Sequence, residues 1–260
     1  MADGAVNLSV ADGIATLTLS RPHSLNAMSR DMMLSLEQRV RELGMLPGLR
    51  VVIITGEGRA FSTGGDLKEF ESALQVGGTA LVDALRYNQD VLQLVEGLPV
   101  PVIGAANGAA IAGGLELLLC CDIILAAEGA RLGDGHARYA IVPAGGATVR
   151  LLERVSPTRA AQLFYTAALF DVQTLSAWGI VNEVVPVGQL MARAEELAEE
   201  ICANSPEAIR RIKQLTAIRA GSADRNLRLR AELDHFADHT LGQNLKEGLA
   251  AFRTKRPPNW

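Results

Sequence analysis

At 260 residues the chain is long enough for one large domain, or one domain with a small appendage. Hydrophobic residues make up 48% and charged residues 21%, a globular composition that argues against disorder. The net charge of −4, with both signs mixed along the chain, lacks the basic field of a nucleic-acid or anionic-membrane binder. It leaves room for a local basic patch on a phosphorylated ligand.

Asn7 to Leu19 alternates apolar and polar residues around Asp12-Gly13, which predicts a hairpin of two short strands. Arg21-Pro22 ends the second strand. Ser29 caps a predicted helix whose apolar positions Met32, Met33, Leu36, Val40 and Leu43 recur at helical spacing. Val51 to Thr55 is a continuous β-branched run, the pattern of a strand buried on both faces. Gly56 to Asp66 reads as a glycine-rich loop and Thr79 to Glu96 as an amphipathic helix stopped by Pro99 and Pro101. Val102-Ile103 starts another strand, Gly113-Gly114 opens a short apolar helix through Leu119, and Asp122 to Ala126 is strand again. Repeated strand-strand-helix units predict an α/β domain with helices packed on sheets.

After Pro143 the character becomes helical. Ser156-Pro157 and Ser205-Pro206 are N-cap plus N1-proline signatures. Residues 187–204, 206–220 and 224–252 read as helices, with one strand at Asn182 to Val185. Leu227, Leu233, Phe236 and Leu241 fit either a helical subdomain or a docking arm. Cys120, Cys121 and Cys202 are the only cysteines, and buried thiols are expected rather than a disulfide framework. Met1 to Leu8 has no signal-peptide pattern, and no run of about 18 apolar residues suggests a membrane span. The expectation is a cytoplasmic protein.

Two glycine-containing junctions follow strands directly: Arg59 to Lys68, and Ala106 to Glu116. Glycine lets the backbone approach a ligand closely, and a helix start leaves N–H groups without partners. Two such junctions facing each other form an oxyanion hole, in which loss of one donor costs about 3–4 kcal/mol of transition-state stabilisation. Glu116 lies three residues after Gly113, on the same helical face as its N–H. A carboxylate there suits proton transfer next to a carbonyl, and it equally suits a capping role.

Phe61 to Lys68 and Asn107-Gly108 through Gly113-Gly114-Leu115-Glu116 to Cys121-Asp122 resemble the two signature segments of the crotonase superfamily (the enoyl-CoA hydratase/isomerase family). Arg21-Pro22 with Leu25-Asn26-Ala27-Met28, Pro143 to Gly146 with Arg150-Leu151, and Ala177 to Val185 extend the resemblance over nearly the whole chain. The resemblance implies a crotonase-like spiral of strand-strand-helix turns over residues 1–200, and a helical C-terminal trimerisation segment over 201–260. It implies an acyl-CoA substrate, no cofactor beyond CoA as part of that substrate, and a homotrimer or dimer of trimers, while the charge balance points to no nucleic-acid or membrane partner. Gly65 and Gly113 would donate the oxyanion-hole N–H groups. Leu25, Ala27, Thr63, Gly65, Asp66 and Leu67 would meet CoA, and Glu116 matches the first glutamate of the hydratases.

The chain departs from that pattern where the hydratases carry a second glutamate. Here the segment is Gly133-Asp134-Gly135-His136. Histidine can still act as acid or base, and Asp134 is a substitute acid to consider beside a purely structural role for His136. Ala144 and Ala147 stand where the family usually has glycine, which is expected to alter the acyl pocket. Addition or loss of water, or double-bond migration, on an acyl-CoA is the expected reaction. A thioester hydrolase, a decarboxylase, a dehalogenase-like enzyme and a degenerate CoA-binding protein are the alternatives.

Other motifs are incomplete. His235 and His239, beside Asp234 and Asp238, form at most half a metal site, so no metal is expected. Gly56-Glu57-Gly58 completes no dinucleotide fingerprint, and neither a Walker-type lysine nor a Gly-x-Ser-x-Gly elbow is present.

Overall fold

A computed structural model describes residues 5–204, 206–217, 226, 233–234, 236–237, 240 and 243–256. Strands β1 (Val6–Ala11) and β2 (Ile14–Leu19) pair antiparallel. Asp12 and Gly13 between them have φ of 52° and 82°, the positive values a two-residue hairpin needs. The Ser29 hydroxyl accepts from Met32 N at 3.2 Å and starts α1 (Arg30–Gly44). The five apolar positions read from the helical period are those it buries.

The chain then winds in turns of long strand, short strand and helix. The long strands β3 (Val51–Gly56), β5 (Val102–Ala106) and β7 (Ile123–Ala127) stack in parallel. With the hairpin and β10 (Glu183–Val185) they form a six-stranded sheet in the order β1-β2-β3-β5-β7-β10. The short strands β4 (Ala60–Ser62), β6 (Ala109–Ile111), β8 (Arg131–Gly133) and β9 (Phe170–Asp171) make a second sheet in chain order. Helices α2 (Leu67–Val76), α3 (Ala80–Glu96), α4 (Gly113–Leu119), α5 (Ala147–Arg150), α6 (Pro157–Thr166) and α7 (Val172–Trp178) follow. Then come α8 (Leu190–Cys202), α9 (Pro206–Ala217) and α10 (Gln243–Arg253).

β3 shows why its run lacks alternation. Val52 and Ile54 face the main core with Leu36 and Leu92, while Val51 and Ile53 face Leu190, Ala194 and Ala198 of α8. Both faces are dry, so both carry apolar residues. The Cys120 and Cys121 thiols are free and buried, and burial pushes Cys120 up to about 12.

Several elements differ from the sequence reading. The stretch read as a loop over 56–66 contains β4, whose three residues are all buried. The unanticipated α2 follows it, capped by the Asp66 carboxylate on Lys68 N at 3.1 Å. Strand β9 and helix α7 were not expected either. Asp171 caps α7 by accepting from Thr174 N at 2.7 Å. Helix α6 starts at Pro157 as read, but the Ser156 hydroxyl meets Thr158 Oγ1 at 3.1 Å rather than capping the backbone.

Of the apolar positions behind the docking-arm reading, two are described, and both pack within the chain. Leu233 and Phe236 are buried against Phe70, Leu81 and Ala144 of the same chain, and the Phe70 and Phe236 rings meet edge to face at 5.5 Å. Ser205, Leu227, Leu241, His235, Asp238, His239 and Trp260 lie outside the described residues.

Candidate active site

β4 and β6 run parallel, pairing Ala60 with Ala109 and Ser62 with Ala110. Parallel pairing brings both strand ends to one edge, so Gly64-Gly65 sits beside Ala112-Gly113. Gly64 has φ of 87°, and a methyl group on it would lie 2.9 Å from Gly113 N. Gly114 has no room either, because its Cβ would fall 2.1 Å from Ser62 O. Ala112 adopts φ of 52° and ψ of −118°, a left-handed conformation that costs an alanine about 1–3 kcal/mol. Those torsions set the plane of the peptide that ends in Gly113 N–H. Gly65 differs from the others: a Cβ there would meet nothing within 4 Å. Its missing side chain leaves open space at the cavity, which packing does not require.

The segment 25–28 is stapled alongside. Met28 N donates to Gly64 O at 2.8 Å and Thr63 N to Leu25 O at 3.2 Å. Buried Asn26 is the hub. Its amide donates to Glu57 O and Ala60 O at 3.0 and 2.8 Å, and its Oδ1 accepts from Arg21 N at 2.8 Å.

Glu116 sits in the first turn of α4 and is 4% exposed. Its Oε1 accepts from Gly145 N at 2.9 Å and Ala147 N at 3.1 Å. Burial pushes its carboxyl above the ordinary value of 4.5. A cationic His136 opposes the shift, Asp134 adds to it, and the Ala147 N–H and Arg150 oppose it. Arg150 is buried behind the loop. It donates to Gly145 O and, through Nη2 at 3.0 Å, to Glu96 Oε2. The guanidinium thus ties α3 to the loop whose N–H groups hold Glu116.

His136 opens a 3-10 turn (His136–Tyr139). Its Nδ1 lies 2.8 Å from Asp134 Oδ1. Asp134 is therefore not an acid presented to substrate; it is 1% exposed and faces the histidine. Helix α10 presses on this turn so closely that a Cβ on Gly248 would lie 1.8 Å from Tyr139 O.

Gly65, Gly113, Glu116 and His136 line one cavity of ≈ 630 Å³, and so do Leu25, Ala27, Thr63, Asp66 and Leu67. One side is apolar, with Leu85, Leu92, Ile141, Val142 and Phe236. Helix α3 meets the cavity with Leu85, Asn88 and Leu92 but not Tyr87, whose hydroxyl donates to Glu37 at 2.5 Å. A second space of ≈ 710 Å³ shares Leu67, Lys68, Tyr139 and Phe252 with the first, and adds Arg138, Arg253, Lys255 and Arg256. Among the described residues, no cluster of three or more His, Cys, Asp or Glu could hold a metal ion.

The sequence reading missed Asn26 as a hub, Arg150, the Gly145 and Ala147 donors, and the aromatic wall from Phe236 and Phe252. Asn26, Arg150 and the Gly145 segment stood within motifs, but their partners are distant in sequence.

This fold is shared with known proteins. The enoyl-CoA hydratase/isomerase family profile matches residues 9–260. The crotonyl-CoA hydratase of Syntrophomonas wolfei is 33% identical, over 100% of this chain and 99% of its own. The short-chain-enoyl-CoA hydratase of Clostridium acetobutylicum is 33% identical, over 94% of this chain and 92% of its own. A crystal structure of an enoyl-CoA hydratase from Bacillus anthracis matches with a TM-score of 0.80 at 33% identity, covering 98% of both chains. The chain belongs to the enoyl-CoA hydratase/isomerase family of the crotonase superfamily. It is an enzyme of that type, acting on acyl-CoA thioesters.

Proposed function

We propose that the protein catalyses reversible addition of water to a trans-2-enoyl-CoA with an apolar acyl group. One observation carries this reading: Gly65, Gly113, Glu116 and His136 converge on a single cavity. The thioester oxygen accepts from the Gly65 and Gly113 N–H groups, which stabilise the negative charge as it develops there. Water forms its C–O bond at C3, and the C2–C3 π pair moves into the enolate. Glu116, with His136 as partner, takes the proton from water and returns a proton to C2. Two N–H donors and an acid/base pair meet the needs of this step, so the reading calls for no metal or redox group, and CoA enters as part of the substrate.

The apolar wall of Leu85, Leu92, Ile141, Val142 and Phe236 suits a hydrocarbon acyl chain. The second space, lined by Lys68, Arg138 and Lys255 beside Arg253 paired with Glu71 and Arg256 paired with Glu247, suits the phosphates of CoA. Trimeric assembly through the C-terminal helices is proposed from the family resemblance, and a cytoplasmic location from the free, buried thiols of Cys120 and Cys121, the state expected in a reducing compartment. No described helix is long and apolar enough to cross a membrane. Light scattering tests the assembly, and a monomer at working concentration would remove it.

The reaction is tested by mass spectrometry of a short trans-2-enoyl-CoA incubated with the protein. Gain of one water is the expected outcome. A product of unchanged mass with a shifted double bond, or no product, would overturn hydration.

A further inference from the structure

Where the family resemblance places a second glutamate, this chain has His136, and it also has an aspartate two residues earlier. Both oxygens of that aspartate face the histidine. Asp134 Oδ1 lies 2.8 Å from Nδ1, and Oδ2 accepts the backbone N–H of His136 at 3.2 Å. The Asp134 side chain is 2% exposed and that of His136 is 11% exposed. Such a contact between residues two apart needs a sharp local turn. Gly135 provides it at φ of 70°, and a side chain there would be strained and would also meet Ile111 Cγ2 at 2.9 Å.

We infer that Asp134 is a positioning residue that holds His136 as the Nδ1–H tautomer, so that Nε2 exchanges the proton with substrate or water. An ionised carboxylate only accepts hydrogen bonds, so the nitrogen facing it must carry the proton. Proton exchange with the substrate is thereby assigned to Nε2. This rests on the proposed acid/base role of His136.

The pairing also explains how a histidine can stand where relatives use a carboxylate. Asp134 and a neutral imidazole together carry one negative charge. After Nε2 takes a proton the pair is neutral. These are the two charge states of a glutamate. Glu116 across the cavity therefore faces the same formal charge on its partner as it would in a two-glutamate site. The turn's other ionisable groups are Arg138 and Tyr139, and α10 packs against it with Lys246, Glu247 and Arg253 in its sequence.

The test is nitrogen NMR of 15N-histidine-labelled protein without substrate, with the His136 resonance assigned by its loss in His136→Ala. In the parent, the neutral ring is expected to carry its proton on Nδ1. In Asp134→Asn the side-chain amide can donate to Nδ1, and the proton is expected to move to Nε2. Turnover of a short trans-2-enoyl-CoA by Asp134→Asn should fall in kcat by up to about 10⁴-fold, the cost of a wrong tautomer, with KM little changed. In a His136→Ala background, Asp134→Asn should leave kcat unchanged.

A parent ring protonated on Nε2 overturns the inference, and this reading stands even if Asp134→Asn does not fold. An unshifted tautomer, a parent-like kcat, or further loss in the His136→Ala background does the same. An Nδ1-protonated parent ring that shifts to Nε2 in Asp134→Asn, with no hydration of enoyl-CoA by the parent, supports the positioning of His136 and sinks the proposed reaction instead.

Discussion

Glu116 and His136 reach one cavity from supports of opposite kind. The carboxylate is held by two backbone N–H groups on a loop that a buried arginine pins from behind. The imidazole is held by a side-chain carboxylate two residues away. A backbone donor survives every substitution except proline, which also fixes φ; otherwise it is displaced only by added bulk or by loosening its loop. A side-chain partner can be removed by a single isosteric change. The two walls should therefore fail in different ways.

The largest effect is expected at the first wall. Glu116→Gln keeps an oxygen for the Gly145 and Ala147 donors but cannot take a proton, so kcat should fall by about 10²–10⁴-fold. Its stability should move the other way. Burial raises the folded pKa of Glu116 above 4.5, so ionisation is disfavoured in the folded state. The parent loses stability as pH rises above the unfolded value and through the folded one. Glutamine does not ionise. Thermal melts should show Glu116→Gln equal to the parent in acid and increasingly more stable towards neutral pH. Parent-like turnover would remove Glu116 from the mechanism.

Glu96→Ala tests the pin behind the loop. Arg150 is 1% exposed and would lose its carboxylate, and breaking such a pair costs about 3 kcal/mol. Because the Glu96 side chain is 29% exposed, the low end of that range is expected in denaturant titration. A loss of stability with unchanged kcat would show that Arg150 supports the fold without setting the Glu116 geometry.

Gly145→Ala adds bulk without removing any donor. Its Cβ would fall 2.3 Å from Glu116 Oε2, and pushing the carboxylate aside should lower kcat by about 10²-fold. The smallest effect is expected at Gly65→Ala, where the methyl group has space within the fold. Its melting temperature should match the parent's. Substrate should feel the methyl, with kcat/KM falling by about 10- to 200-fold. Gly114→Ala is the control: its Cβ would meet Ser62 O at 2.1 Å, so stability should fall as well.

The same contrast separates what could be read in the chain from what could not. Glu116 was legible because one helical turn links it to Gly113, and a local period survives in sequence. The α1 core face and the buried run of β3 were legible for the same reason. β4 and β9 have three and two residues, too few to show a period. Asp134 was noticed, but as an acid for the substrate. Its true direction depends on the left-handed Gly135, and nothing in the residue types fixes that torsion.

By itself the sequence determined the order of the longer elements, the two glycine junctions, the position of Glu116 and the family. These depend on periodicity, chain punctuation and motif spacing within short segments. Only the tertiary structure decided that parallel pairing of β4 and β6 brings the junctions together. It alone decided that Gly145 and Ala147 hold Glu116 through backbone N–H groups, which every residue type but proline shares, and that Phe236 turns back to wall the cavity. Those contacts join residues far apart in the chain, many through backbone atoms, and such pairings leave no mark on residue identity that one sequence can show.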